Sequence, residues 1–447
     1  MCSFNLMKKI CYIIPGFILF FPLITCAQIN ADTSVKVVTL KQCVDFALRN
    51  QPTVRQASID EAINERNISI SLSAWLPQVS GSGLYDYYFK GGPIVPASTS
   101  SNISGLNNLS TLGLQANQVI YNNDVLQAAK AAKYSRLYYK ENTTSSQINV
   151  VSDVSKAFFD VLLSQRQLDI LNEDIRRLQR SLKDAYSQYQ AGVVDKTDYK
   201  QATISLNNSL ATRKQTEESI KSKFAYLKQI MGFNPVNKLT LSFDSTNYES
   251  EAIIDTNQRL DVNNRIEYQL LQTQKNLQNI NVNYYKWGFL PSVSATGNYN
   301  LYYLSNSFST LYEKSFPNSY VGLTLAIPIF QGGKRLQNLS KARLQADRAD
   351  LDIINSRNTI NTEYVQALAS YKSNYTNWQF LKQNVDLAKD VYKVVSLQYR
   401  EGIKIYLDVI VAQSDLRTAE LNYYDALFQL LSSKIDLQKA LGTLTIQ

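Results

Sequence analysis

The sequence predicts an α+β membrane protein with an internal two-fold repeat, in which strands of a transmembrane β-barrel alternate with very long helical hairpins. Three observations carry that expectation. The two halves of the chain run through the same order of segments roughly 210 residues apart. Each half holds two strand-like segments in which apolar and polar residues alternate with period two. Each half also holds a helix-forming block far longer than a globular core accommodates, interrupted by a single glycine, Gly192 in the first and Gly402 in the second.

The chain begins with an export signal. MKKICYIIPGFILFFPLITCAQ (7–28) has a basic start, an apolar core and a small-residue cleavage site, so residues 1–27 read as a signal peptide cut after Ala27. The rival reading takes LITC (23–26) as a lipobox with Cys26 acylated. Thr25 is a poor residue there, and simple cleavage is favoured. No other apolar run reaches the ~20 residues of a membrane-crossing helix. Cys2, Cys11 and Cys26 lie in the signal, which leaves Cys43 alone and allows no intrachain disulfide. The chain has 0 histidines, so the commonest general base and metal ligand is missing. No catalytic, metal or cofactor site is expected. The net charge is +9, and loss of Lys8 and Lys9 with the signal leaves +7. Basic residues interleave with acids, as in RRLQRSLKDAY (176–186), which marks a solvated helix face and not a nucleic-acid patch.

The first repeat spans 28–232. It opens on a helix announced by Thr39-Leu40-Lys41-Gln42, a capping box. Strand segments WLPQVSGSGLYDYY (75–88) and TLGLQANQVIY (111–121) follow, joined by a loop at 91–109. The run from Asn123 to Gln190 then makes a helix roughly 100 Å long at 1.5 Å per residue. A return helix covers Thr197–Met231. Residues 233–254 are polar, contain Pro235 and read as a connector. The second repeat, 255–447, has a helix at 265–287 and strand segments FLPSVSATGNYNLYY (289–303) and VGLTLAIPIF (321–330), with a loop at 304–318 between them. A second long helix and a return helix, Leu407–Leu441, complete it. Val154, Phe158, Val161, Leu168, Ile175, Leu182 and Tyr189 keep a heptad phase, and Tyr364, Leu368, Tyr371, Trp378, Val385, Tyr392 and Tyr399 repeat it. Such seams zip helices together over many turns.

The strands favour a membrane over a half-buried sheet. Export, continuous polar faces, terminal tyrosines and Ser/Asn-rich loops fit a barrel with an aromatic girdle. Four strands cannot close one, and lipid tolerates no open edge, so several chains contribute. Spacing alone leaves eight, twelve or sixteen strands open.

LPSVSATGNY (290–299), IPIFQGGK (327–334), YREGIKIYLDVIVAQSDL (399–416) and DLQKALGTL (436–444), in this order, resemble the outer-membrane efflux protein family, the TolC-like channels, over nearly the whole mature chain. The resemblance implies a homotrimer in outer-membrane lipid: one twelve-stranded barrel continued by an α-helical coiled-coil tunnel across the periplasm. It implies passive conduction as the exit duct of a tripartite efflux pump, driven by an inner-membrane transporter through a periplasmic adaptor protein at the helical tips. Type I protein secretion is an alternative role, and an exported coiled-coil structural protein without a pore is the alternative outside the family. By position, Tyr399, Lys404 and Asp408 are gate candidates. Gly192, Val193, Val194, Gly402 and Ile403 are adaptor-docking candidates. Val411 stands where the family often has a second acid, and Asp198 aligns with Asp408. Plainer roles compete: Asp408 as an acid in a helix's first turn, Tyr399 as a seam residue, Lys404 as a solvated side chain, and the glycines as turn formers.

Overall fold

Why the helices start and stop where they do is largely local chemistry. A computed structural model describes residues 38–90, 106–242 and 245–444. The signal segment with Cys26 lies outside the described residues, as does most of the 91–109 loop. Helix α1 (Leu40–Asn50) begins on the expected capping box: the Gln42 amide donates to Thr39 Oγ1 at 3.4 Å, and the Thr39 amide donates to Gln42 Oε1 at 3.0 Å. Helix α2 (Pro52–Ser73) has proline in its first turn, where no N–H is needed. After strands β1 (Gln78–Tyr87) and β2 (Asn108–Tyr121) come α3 (Asn123–Gln190) and α4 (Lys196–Met231). A short α5 (Ser245–Glu251) and α6 (Ile266–Lys286) lead to β3 (Ser292–Ser305) and β4 (Ser315–Ala326), then α7 (Lys334–Arg400) and α8 (Tyr406–Leu441). The first half opens with two helices, α1 and α2, where the sequence suggested one, and in the second half α6 leads into the strands.

The strands form one antiparallel sheet in the order β1-β2-β3-β4. Strand β4 starts earlier than its composition suggests. The β3–β4 connection is 306–314, with a single 3-10 turn at Phe308–Thr310, and not the long loop expected over 304–318. Ser315 to Asn318 look like loop residues in isolation, but they pair with Asn300 to Tyr303 of β3, and the ladder overrides the composition. Pro317 is accommodated on a strand that is an edge of the chain's own sheet. At its other end β4 stops at Ala326, so Ile327 and Ile329 fall beyond the strand, next to Pro328, which has no N–H for a ladder.

Helix α3 is the centre of the helical part, in contact with α1, α2, α4, α6 and α8, while α7 packs on α6 and α8. The heptad seams are real but unequal. Val154, Phe158, Val161 and Ile175 are buried, whereas Tyr189 is exposed near the tip. Tyr371, Trp378 and Val385 are buried on α7, with Tyr364, Leu368, Tyr392 and Tyr399 half-buried around them. The main core gathers where both hairpins overlap, around Phe158, Leu162, Leu227, Leu430 and Leu437. Cys43 sits there with 0% exposure, and burial pushes its thiol up to about 12, so it is a small apolar side chain and not a nucleophile.

The connector carries more structure than its polarity suggests. Leu239, Leu241, Tyr248 and Ala252 are buried in the core, and Val38 pairs with Leu241. The Tyr371 hydroxyl donates to the Ala252 carbonyl and accepts from the Ile254 amide, both at 3.0 Å. Glu249 accepts from the Tyr423 hydroxyl and from Lys382. The polar groups thus fasten 233–254 across α7 and α8 like a strap. Burial pushes the Glu249 carboxyl up, but the Lys382 and Tyr423 hydrogen bonds outweigh it and leave the group below its ordinary 4.5. A depressed carboxylate stabilises the fold above its unfolded value and loses that contribution as pH falls through its folded value. Melting curves across pH 7 to 3 are therefore expected to fall below pH 4.5, and Glu249→Gln should flatten that fall. An unchanged acid limb in the variant removes Glu249 from the strap.

Candidate functional site

Each hairpin reverses at its glycine by the same hydrogen-bond pattern. Gly192 and Gly402 both have φ of 75°. The Gly192 amide donates to the Tyr189 carbonyl and the Val193 amide to the Gln188 carbonyl, both at 3.0 Å. The Gly402 amide donates to the Tyr399 carbonyl at 3.0 Å, and the Ile403 amide to the Gln398 carbonyl at 2.8 Å. This Schellman pairing satisfies the last helix carbonyls, and the return helices begin after 191–195 and 401–405. A side chain at either glycine meets nothing within 4 Å, so the left-handed backbone alone requires glycine there.

The tips pair through a small apolar cluster that the sequence did not single out. Tyr406, 2% exposed, packs with Ala185 of α3 and Ala202 of α4, both 0% exposed. Two alanines facing across one hairpin leave room for a large side chain from the other; their small size was the available signal. Tyr399 joins this cluster, its ring 5.7 Å from that of Tyr406, and its hydroxyl donates to Gln188 Oε1 at 2.8 Å. Burial, with the nearby Asp198 and Asp184 charges, raises the Tyr399 hydroxyl, so it remains a donor at neutral pH. Lys404 lies 3.5 Å from Asp408 in a half-exposed ion pair one turn apart. Asp408 and Asp198 both occupy the first turn of their helices, where the macrodipole favours an acid. Of the docking candidates, Val193 and Ile403 project into solvent, joined by Ile405 and Leu407, while Val194 is half-buried. The structure thus brings Tyr399 to the tip core and pairs Lys404 with Asp408, but leaves Gly192, Val193, Gly402 and Ile403 on the rim.

Above the tips lies a polar knot. Asp174 sits sixteen residues before the end of α3, roughly 24 Å along the helix, with its side chain 2% exposed. Its Oδ2 accepts from Ser209 Oγ of α4 at 3.0 Å, and its Oδ1 accepts from Gln413 Nε2 of α8 at 2.9 Å. Arg417 Nη1 lies 3.5 Å from Oδ2 and donates to Ser209 Oγ at 2.9 Å. One carboxylate therefore ties three helices from both hairpins.

At the opposite end, the sheet register sorts side chains by polarity. One face carries Val79, Ala116, Gly297 and Val321 in a row, then Gly81, Leu114, Tyr299 and Ser319, then Gly83, Leu112, Leu301 and Pro317. The other face carries Gln78, Asn117, Thr296 and Gly322, then Ser80, Gln115, Asn298 and Tyr320, then Ser82, Gly113, Asn300 and Asn318. The apolar stretch from Val293 to Leu301 covers about 26 Å of strand at 3.3 Å per residue, or ~20 Å of height once tilted by ~40°. Tyr85 and Tyr303 close it at the end away from the helices, where Phe308 lies 5.6 Å from Tyr85 and Tyr312 lies 5.1 Å from Tyr303. Among the described residues no helix is long and apolar enough to cross a membrane.

A sheet with an oily side, a wet side and long hairpins at one end is the build of one subunit of an outer-membrane channel. A profile described as "Outer membrane efflux protein" matches residues 44–233 and 263–443, and the chain belongs to that family. Its location is the outer membrane. The outer membrane protein TolC of Vibrio cholerae is 21% identical over 440 residues, covering 95% of this chain and 96% of that one. A probable efflux pump outer membrane protein, TtgC of Pseudomonas putida, is 22% identical and covers 90% of this chain and 82% of its own length. The crystal structure of the CmeC outer membrane channel of Campylobacter jejuni superposes with a TM-score of 0.73 at 20% identity, over 90% of this chain and 85% of that one.

Proposed function

We propose that this chain forms a homotrimeric exit duct of a tripartite efflux pump: twelve strands in one barrel and a helical tunnel beneath it, with the two halves of the chain as a duplicated unit. The observation that carries the reading is the two-faced sheet, which is too small to close alone. The profile matches the chain twice, once in each half, in support of a duplication. A second apolar stripe on α7, formed by Phe380, Leu387, Val391, Val394 and Leu397, is exposed in the single chain. It is separate from the buried seam of Tyr371, Trp378 and Val385, and it offers a coiled-coil surface to a neighbouring copy. The native mass of detergent-extracted protein tests this: three chains are expected, and a monomer overturns the duct.

In this reading the exposed Val193, Ile403, Ile405 and Leu407 at the tips receive a periplasmic adaptor, and an inner-membrane transporter supplies the energy. Asp408 places three carboxylates around one axis. Asp408→Asn also frees Lys404 of its partner, so the potassium-to-chloride permeability ratio in planar bilayers is expected to fall several-fold. An unchanged ratio takes Asp408 out of the pore. Gly402→Val is expected to abolish pump-dependent resistance while trimers persist, and full transport in that variant overturns docking at the tip. A strain lacking the gene, tested against a panel of toxic compounds with its secreted proteins profiled, separates efflux from protein secretion.

A further inference from the structure

The polar face of the sheet does not stay polar to its end. From the helices outward its rows are mostly hydroxyls, amides and glycines, with Val119 beside Ser294 and Tyr320 beside Asn298, up to Ser82, Asn300 and Asn318. The next row on the same face is Leu84, Thr111, Tyr302 and Phe316, set by the pairings Leu84 with Thr111, Thr111 with Tyr302, and Tyr302 with Phe316. This row lies beside the β1–β2 and β3–β4 connections, opposite the helices, and is therefore at the outer mouth. These side chains are not turned to lipid. The lipid-side row at this level is Tyr85, Ser110 and Tyr303, covered by Phe308 and Tyr312. Leu84 is exposed, and Tyr302 and Phe316 are half-buried.

We propose that Leu84, Tyr302 and Phe316 form an apolar, aromatic girdle on the lumenal wall just inside the mouth, which binds aromatic amphiphilic cargo transiently as it leaves. The proposal rests on the duct reading, in which three copies place nine such side chains around the lumen. Aromatic rings and branched side chains on a wetted wall attract apolar surface while leaving the surrounding water column open. The girdle selects by apolarity and not by charge. Asp86 stands one row further out on the same face, and Lys314 lies 5.0 Å over the Phe316 ring, so the two signs offset each other. Among the described residues the rows beneath hold one aromatic ring, Tyr320, set among amides and hydroxyls, whereas in the girdle row a leucine and two aromatic rings stand together.

The test uses the full-length protein in planar bilayers, with tetraphenylphosphonium and tetraethylammonium as probes of equal charge added on the barrel side. Tetraphenylphosphonium is expected to block the current at a lower concentration than tetraethylammonium. In the triple variant Leu84→Ser, Tyr302→Ser, Phe316→Ser, its half-blocking concentration is expected to rise about tenfold, with tetraethylammonium unaffected. Phe316→Leu, which retains an apolar side chain, should keep most of the difference, and the current itself reports that each variant is folded. Equal tetraphenylphosphonium block in the wild type and the triple variant overturns the girdle and leaves the duct standing. Absence of any current from the wild type overturns the duct and the girdle with it.

Discussion

Gly442→Ala is expected to destabilise the protein by about 3 kcal/mol or more, about twice the effect of the same change at Gly402. Four helices end on a left-handed glycine with the same Schellman pairing: Gly192, Gly232, Gly402 and Gly442. At all four an alanine meets the left-handed backbone cost, about 1–2 kcal/mol. At Gly442 the new Cβ would also stand 2.7 Å from the Asn264 carbonyl oxygen and 2.9 Å from its carbon. At Gly232 it would stand 2.6 Å from the Asn50 carbonyl oxygen. These neighbours are backbone, so no rotamer relieves the contact. Gly232 and Gly442 are where the ends of α4 and α8 abut the chain entering α2 and α6. Thermal unfolding in detergent separates the two kinds of glycine: the Gly232 and Gly442 variants should melt well below the Gly402 variant. Equal shifts at Gly402 and Gly442 would remove the backbone contact from the explanation.

Asp174→Ala is expected to cost about 3 kcal/mol, because it removes a carboxylate that is 2% exposed and the ion-pair partner of Arg417 and Arg177, which are 29% and 20% exposed. Ser209 and Gln413 lose their acceptor at the same time. Asp174→Asn keeps an acceptor oxygen for one of those bonds and should cost less. Arg417→Ala in the Asp174→Ala background should recover part of the loss, since it removes the charge that the first change stranded. Denaturant unfolding of the four proteins decides this. Additive losses in the double variant would mean that the two residues act independently.

Much of the architecture was readable because it rests on local chemistry. The capping box at Thr39 and Gln42, the end of α3 at Gln190 and the reversals at Gly192 and Gly402 follow from residues within one helical turn. The four strand segments are visible from period-two alternation, although the start of β4 is not, because Ser315 to Asn318 resemble a loop until β3 pairs with them. The motif marks the gate candidates Tyr399, Lys404 and Asp408, yet nothing in it marks Tyr406. Its role depends on Ala185 and Ala202, more than two hundred residues earlier in the chain, which nothing local connects to it.

By itself the sequence determined the order of the strands and long helices, the lengths of the hairpins, the turn glycines and the alternating faces of each strand, since periodicity and backbone freedom are properties of short stretches. Only the tertiary structure decided which glycines carry a backbone contact, that Asp174 joins three helices, and that the wet face turns apolar at Leu84, Tyr302 and Phe316. Each of these depends on how segments distant in the chain align across a helix pair or a strand ladder. That alignment is set by the packing of the whole subunit and leaves no local signal.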